Sequence, residues 1–118
     1  MASLAAVVLN WNRLAATREC VAGLVGWRDP AMEVWVVDNG SDNGEAAALA
    51  GEFPAARVVA AGANLGFGGG NNLALRQAKA TYALLLNNDA GIEEGDGRRL
   101  LALLEARPDL AVVGPLIT

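Results

Sequence analysis

The chain contains 118 residues, of which 53% are hydrophobic and 19% are charged, so it can form one domain with a core and is too apolar to be disordered. Its net charge is −4, and its nine lysines and arginines form no basic stripe with interleaved aromatic residues, which argues against nucleic acid as a partner. The sequence has no histidine, which excludes Ser-His-Asp and Cys-His catalysis and every metal site with a histidine ligand.

Apolar segments alternate with helical patterns along the chain. Strands are predicted over residues 4–9, 33–37, 57–60, 82–86 and 110–114. Four helices are predicted between these strands. The first is capped by Asn12 and ends at Trp27, and the second covers residues 45–52. The third follows a glycine-rich loop and ends at about Ala78, and the fourth covers residues 98–106 and is opened by Asp96 or Gly97. This alternation predicts an α/β fold, a Rossmann-like and mostly parallel sheet with helices on both faces. Strand order 3-2-1-4 would bring the exits of strands 1, 2 and 4 to one crevice.

Cysteine content and chain length add three expectations. Cys20 lies among apolar residues and is expected to be a buried structural thiol. No apolar run approaches the roughly 20 residues that span a bilayer, and the first strand leaves no room for a signal peptide. The sequence stops at Thr118 directly after a predicted strand, so we expect residues 1–118 to be a single domain that forms part of a longer protein.

The second predicted strand ends in a carboxylate. Asp38 is followed by Asn39, Gly40 and Ser41. Such an acid can accept a hydrogen bond from a ribose hydroxyl or a base N–H. The same residues also suit an Asx-turn or a helix cap for purely local reasons.

A glycine-rich segment follows the third predicted strand. Its glycines at 66, 68, 69 and 70 allow close approach of a ligand, and the next helix would offer free N–H groups to a phosphate. It is not a Rossmann fingerprint, because it follows the wrong strand and has Asn71 in place of the third glycine. A flexible loop remains the alternative.

The fourth predicted strand runs into Asn87, Asn88 and Asp89. One carboxylate with amide and phosphate oxygens suits a hard divalent cation, although a strand-exit turn with Asp89 as a cap is equally open. The later acids at 93, 94 and 96 are expected to form a solvated face that favours a helix N-terminus.

Taken in order, four segments resemble family 2 glycosyltransferases, most closely the rhamnosyltransferase-like branch. The segments are residues 7–12, 37–42, 64–72 and 86–89. The resemblance implies a GT-A fold and, within it, the N-terminal half that binds the nucleotide sugar. It also implies that Asp38 contacts the nucleobase and that Asp89 faces Mg²⁺ or Mn²⁺ in a DXD-like motif whose first acid is Asn87.

The family pattern predicts a larger set of donor-binding residues. These are Asn10, Trp11, Asn12, Asp38, Asn39, Asn64, Gly66, Phe67, Gly70, Asn71 and Asn88. For Trp11 and Phe67, packing in the core is an equal alternative.

The activity implied by the resemblance is inverting transfer of a sugar from a UDP- or dTDP-linked donor to a glycan or lipid-linked acceptor, as in cell-wall polysaccharide synthesis. The catalytic base would lie in an absent C-terminal half, so the 118 residues alone are expected to be inactive. Family analogy also implies a cytoplasmic protein with peripheral contact to the inner membrane face.

Other protein classes stay open at this point. A sugar-phosphate nucleotidyltransferase-like domain should carry a Gly-rich loop with Arg and Lys after strand 1, and residues 10–13 do not form such a motif. A receiver-like module should carry acids after strand 1 and a lysine after its last strand, and neither is present. A non-catalytic nucleotide-binding or dimerising module is the third alternative, and an exposed sheet edge would favour a homodimer.

Overall fold

The computed structural model describes residues 4–27, 32–87 and 94–106. The strands are β1 (Leu4–Asn10), β2 (Met32–Asp38), β3 (Arg57–Ala60) and β4 (Tyr82–Asn87), and the helices are α1 (Leu14–Val25), α2 (Glu45–Glu52), α3 (Gly66–Leu75) and α4 (Glu94–Ala106). The predicted fifth strand, residues 110–114, lies outside the described residues.

The four strands form one parallel sheet in the order β3-β2-β1-β4, which confirms the predicted order. The chain order reverses at β1, so β1 has β2 on one side and β4 on the other. In the register of the sheet, Asn10 pairs with Asp38, and Leu9 pairs with Asn87. The carboxyl ends of β1, β2 and β4 therefore lie side by side, where open parallel sheets bind ligands.

Helices cover both faces of the sheet, as predicted. Alternate strand residues point to opposite faces, so β1 and β2 supply apolar side chains to two separate cores. One core, with α1 and α2, contains Val8, Val36, Val21 and Leu49, and it also buries Cys20 as expected. The other core, with α3, contains the residues Ala5, Val7, Trp35, Val37 and Ala74.

Asn12 does not cap α1, so this prediction was wrong. Arg13 is the N-cap residue, and Asn12 has a left-handed backbone with φ of 53°. The Asn12 side chain instead accepts a hydrogen bond from the backbone N–H of Asp42 at 2.8 Å. It thus holds the loop after β2 rather than the start of a helix.

The glycine-rich segment is helical rather than a loop, which is a second correction. Helix α3 begins at Gly66 and ends at Leu75, three residues before the predicted end. Backbone N–H groups of Gln77 and Ala78 still bond to the carbonyl of Ala74, so the chain leaves the helix through a tight turn. Helix α4 includes Glu94 and Asp96 in its first turn, where acids favour the helix dipole.

Candidate functional site

Backbone bonds beyond the regular ladder join the exit of β2 to the exits of its two neighbours, β1 and β3. The N–H of Asn39 donates to the carbonyl of Asn10 at 2.8 Å, and the N–H of Ala61 donates to the carbonyl of Asp38 at 2.8 Å. Because these backbone groups are already hydrogen-bonded, the chemistry of the site depends on the side chains at the strand ends.

Asn10 is the centre of a buried polar network. Its side chain is fully buried, and its Nδ2 lies 3.0 Å from Asp38 Oδ1, 3.0 Å from Glu45 Oε1 and 3.2 Å from Ser41 Oγ. The Thr17 hydroxyl donates to Asn10 Oδ1 at 2.6 Å. An NH₂ group carries only two protons, and the two charged acceptors form the stronger bonds. The network therefore fixes the orientation of the Asn10 amide and, through it, the position of the Asp38 carboxylate.

Three members of this network were missed from the sequence. Thr17 lies inside α1, Ser41 lies in the loop after β2, and Glu45 opens α2. An acid at the first helical position is readily explained by the helix dipole, and a threonine within a helix carries no motif. The only available signal was that an asparagine ends a strand of buried apolar residues, because a buried amide needs several partners.

A second set of bonds joins the β2 exit to the start of α3. Asn39 Oδ1 accepts the N–H of Leu65 at 2.9 Å, and Asn39 Nδ2 donates to the carbonyl of Gly66 at 3.0 Å. Asn64 Oδ1 accepts the N–H of Gly66 at 2.9 Å. The Asn39 side-chain amide and Asn64 Oδ1 therefore already have hydrogen-bond partners within the protein.

Glycines at two positions permit close approach between these segments. Gly40 has φ of +85°, and a Cβ there would lie 2.7 Å from the backbone of Ala63 and Asn64. A Cβ at Gly70 would lie 3.0 Å from Leu9 and 3.1 Å from Asn39 Nδ2. These glycines serve packing between protein segments, so ligand approach is not needed to explain them.

An open cavity of about 270 Å³ lies at this edge of the sheet. Five of the predicted donor-binding residues line it, together with two that were not predicted. The predicted residues are Trp11, Asn39, Asn64, Gly66 and Phe67, and the additional ones are Leu9 and Arg13. Trp11 and Phe67 are each 54% exposed, so neither is a core residue. The cavity thus combines exposed aromatic surface, amides and one cation.

Three other predicted site residues, Asn10, Asp38 and Asn71, are buried and do not line this cavity. Asn10 and Asp38 belong to the buried network, and Asp38 is 5% exposed. Asn71 is 2% exposed, and its Nδ2 donates to the carbonyl of Phe67 at 3.0 Å. Among the buried side-chain polar atoms of the described residues, only Asn71 Oδ1 has no hydrogen-bond partner. A buried amide oxygen of this kind usually finds a partner.

The predicted metal residue and one donor residue cannot be placed. Asp89 and Asn88 lie outside the described residues, immediately after β4 in the sequence. Within residues 4–27, 32–87 and 94–106, no group of three or more Cys, Asp or Glu side chains could hold a metal ion. The same ranges contain no helix long and apolar enough to span a membrane.

Solved structures share this fold across most of the chain. The chain is similar to TarS 1-349 of S. aureus in complex with UDP-GlcNAc, with a TM-score of 0.77 and 21% identity. The match covers 90% of this chain and 32% of the TarS chain. The chain is also similar to the mannosyltransferase PcManGT from Pyrobaculum calidifontis in complex with GDP-Man and Mn²⁺, with a TM-score of 0.75, 22% identity, and coverage of 86% and 32%. The chain thus spans about a third of the length of these structures. No curated protein sequence matches it closely enough to identify a relative.

The sequence pattern of glycosyl transferase family 2 matches residues 5–117, which is nearly the whole chain. Together with the partial GT-A fold, this match identifies the chain as a member of glycosyl transferase family 2.

Proposed function

We propose that this chain is the donor-binding part of an inverting glycosyltransferase that takes a UDP- or dTDP-linked sugar. The observation that carries the proposal is the cavity at the strand ends, where five residues predicted from three separate segments lie together. Family membership supports a glycosyltransferase. Solved structures similar to this chain hold UDP-GlcNAc and GDP-Man, which supports a nucleoside diphosphate sugar as the donor.

In this proposal the Asp38 carboxylate binds the nucleobase of the donor. A uracil or thymine base has a ring N–H that can donate to a carboxylate, and this bond would be charge-assisted. The bond from Asn10 holds Asp38 Oδ1, so the carboxylate would be positioned before the ligand arrives. Trp11 and Phe67 would offer their exposed ring surface to the base or ribose.

Asn71 is proposed to accept a hydrogen bond from the same donor molecule or from a water bound with it. Its buried Oδ1 has no partner among the described residues. A ligand hydroxyl or a water molecule bound with the ligand would satisfy this acceptor. We expect Asn71→Leu to keep the fold and to weaken donor binding.

A divalent cation, Mg²⁺ or Mn²⁺, is the proposed cofactor. Asp89 with the amide oxygen of Asn88 and the oxygens of a diphosphate would form an oxygen-rich ligand set of the type that hard cations accept. Such an ion would neutralise charge on the leaving diphosphate. We expect donor binding to depend on Mn²⁺ and Asp89→Asn to abolish that dependence.

Transfer also needs a general base within reach of the acceptor hydroxyl. Glu94 and Asp96 lie in the first turn of α4, and family analogy does not assign the base to that helix. We therefore propose that the 118 residues bind the donor without transferring its sugar. A robust transfer rate from the purified chain would refute this part of the proposal.

Calorimetric titration of UDP and dTDP, with and without Mn²⁺, tests the donor site. We expect saturable binding that Asp38→Asn weakens about tenfold or more, because it removes a charge-assisted bond while the shape is retained. Asp42→Asn is the matched control, since Asp42 is exposed in the same loop. Unchanged affinity in a folded Asp38→Asn chain would remove Asp38 from the site.

The rhamnosyltransferase-like branch, the glycan or lipid-linked acceptor, the cell-wall role and peripheral contact with the inner membrane remain predictions from the family resemblance. A homodimer also remains a prediction. In the described part of the sheet β4 is an edge strand, and its Leu85 is exposed. Sedimentation equilibrium would test whether this edge associates.

A further inference from the structure

We propose that Arg13 is the anion-binding side chain of the cavity and that it holds the diphosphate of the donor. This inference rests on the proposed donor-binding function and adds a cationic side chain for the diphosphate, which the residues predicted from sequence do not include. Arg13 was not among those residues.

Arg13 is placed where an anionic ligand would meet it. It lies on the cavity wall with Trp11, Asn64 and Phe67, and it is exposed. Among the described residues that line this cavity, it is the only charged one. A nucleoside diphosphate in the cavity would otherwise face aromatic rings, a leucine, a glycine and amides.

The amides of the wall have less to offer an anion. Both side-chain atoms of Asn39 bond to the backbone of the 65–66 segment, and Asn64 Oδ1 bonds to the Gly66 N–H. The Arg13 guanidinium, in contrast, has five N–H donors in a planar fork that matches phosphate oxygens. Arg13 is therefore the strongest available donor group on the wall.

The position of Arg13 is unfavourable for the helix that it begins. It is the N-cap residue of α1, and its side chain makes no cap bond within the described structure. The first turn of α1 contains no acid that could offset the positive charge. A cation at a helix N-terminus opposes the helix dipole, and Ser, Thr, Asp or Asn would stabilise this position better. Local stability thus gives no reason for an arginine here.

Three arginines of the described residues, Arg18, Arg57 and Arg99, differ from Arg13 in having an acidic partner. Arg18 pairs with Glu52 at 2.6 Å, and Arg99 pairs with Asp96 at 3.0 Å. Across the ranges that the structure describes, no ion pair is formed by the Arg13 guanidinium. Its charge is therefore available to a ligand without the loss of an existing salt bridge.

The test compares a diphosphate with a ligand that lacks phosphate. Binding of UDP and of uridine to the full 118-residue chain is measured by calorimetry for the unaltered protein, Arg13→Gln and Arg13→Lys. We expect Arg13→Gln to weaken UDP binding about tenfold or more and to leave uridine binding within about twofold. Arg13→Lys should recover only part of the loss, because lysine keeps the charge but not the fork. Arg18→Gln is the control and should leave both affinities unchanged.

The possible results separate the two proposals. Equal UDP affinity in Arg13→Gln and the unaltered chain would overturn the role of Arg13 while the donor site stands. A parallel loss of uridine binding would also overturn it, because the residue would then hold the nucleoside or the fold. If the unaltered chain binds neither ligand, both the donor site and the role of Arg13 are wrong.

Discussion

Replacement of Asn10 by aspartate tests the buried network most severely, because the change keeps the shape of the side chain and removes its donor. Nδ2 of Asn10 now lies 3.0 Å from a carboxylate oxygen of Asp38 and 3.0 Å from one of Glu45. In Asn10→Asp the nitrogen becomes an oxygen. Three carboxylates would then meet in a buried site, while the bond from Thr17 is retained because its acceptor remains.

The magnitude follows from the bonds that are lost. Each hydrogen bond to a charged group contributes about 1.5–3 kcal/mol. Two carboxylates about 3 Å apart repel each other by roughly 5 kcal/mol at an effective dielectric constant of about 20, which relaxation or protonation would reduce. Removing one partner of a buried ionic arrangement typically costs about 3–5 kcal/mol. We therefore expect the free energy of unfolding to fall by about 3–5 kcal/mol, out of a total of about 5–15 for a typical domain.

Urea unfolding followed by circular dichroism measures this loss. Asn12→Asp is the matched control, because Asn12 is exposed and the aspartate can still accept the N–H of Asp42; we expect a change below about 0.5 kcal/mol. If Asn10→Asp alone does not fold, adding Glu45→Gln should restore it, since the new amide can donate to the new carboxylate. A loss below about 1 kcal/mol for Asn10→Asp, or no rescue by Glu45→Gln, would refute the reasoning.

Further stability predictions use the same unfolding assay. Gly40→Ala should lower the free energy of unfolding by about 3 kcal/mol, because the new Cβ would sit on a left-handed backbone and overlap the backbone of a neighbouring loop. Gly44→Ala is the control: Gly44 has a left-handed backbone but no described neighbour within 4 Å, so the loss should be about 1 kcal/mol. Equal losses would contradict the close approach at Gly40. Thr17→Val should cost about 1–2 kcal/mol because it leaves the buried Asn10 oxygen without its donor, and a neutral result would remove Thr17 from the network. Arg18→Gln breaks an exposed ion pair and should cost less than about 1 kcal/mol; a larger loss would mean that α1 and α2 depend on it.

The sheet was predictable from the sequence because its signals are strong and local. Residues 57–60 and 45–52 have their predicted bounds as β3 and α2. The strand order was predicted as the simplest one with a switch point, and the structure confirms it. Placing the Asp38 segment beside the glycine-rich segment required only this topology.

The parts that were missed depend on contacts between distant residues. Asn12 has the chemistry of a helix cap, but its side chain bonds to Asp42, 30 residues away. The glycines of α3 have low helix propensity, about 1 kcal/mol each relative to alanine, yet Gly70 and Ala74 pack closely in the core. For Glu45, spacing alone could not show that the side chain turns inward to Asn10.

The most direct test of the donor site is an NMR titration of the ¹⁵N-labelled chain with UDP in the presence of Mg²⁺. The account predicts saturable shifts of the Trp11 indole N–H and of the backbone amides of Asn39, Asn64 and Gly66, while the buried Trp35 indole, bonded to Glu33, stays unchanged. Saturable shifts that map to another face would contradict the location of the site. A folded chain whose spectrum does not respond to UDP, dTDP or GDP would contradict nucleotide binding by these 118 residues.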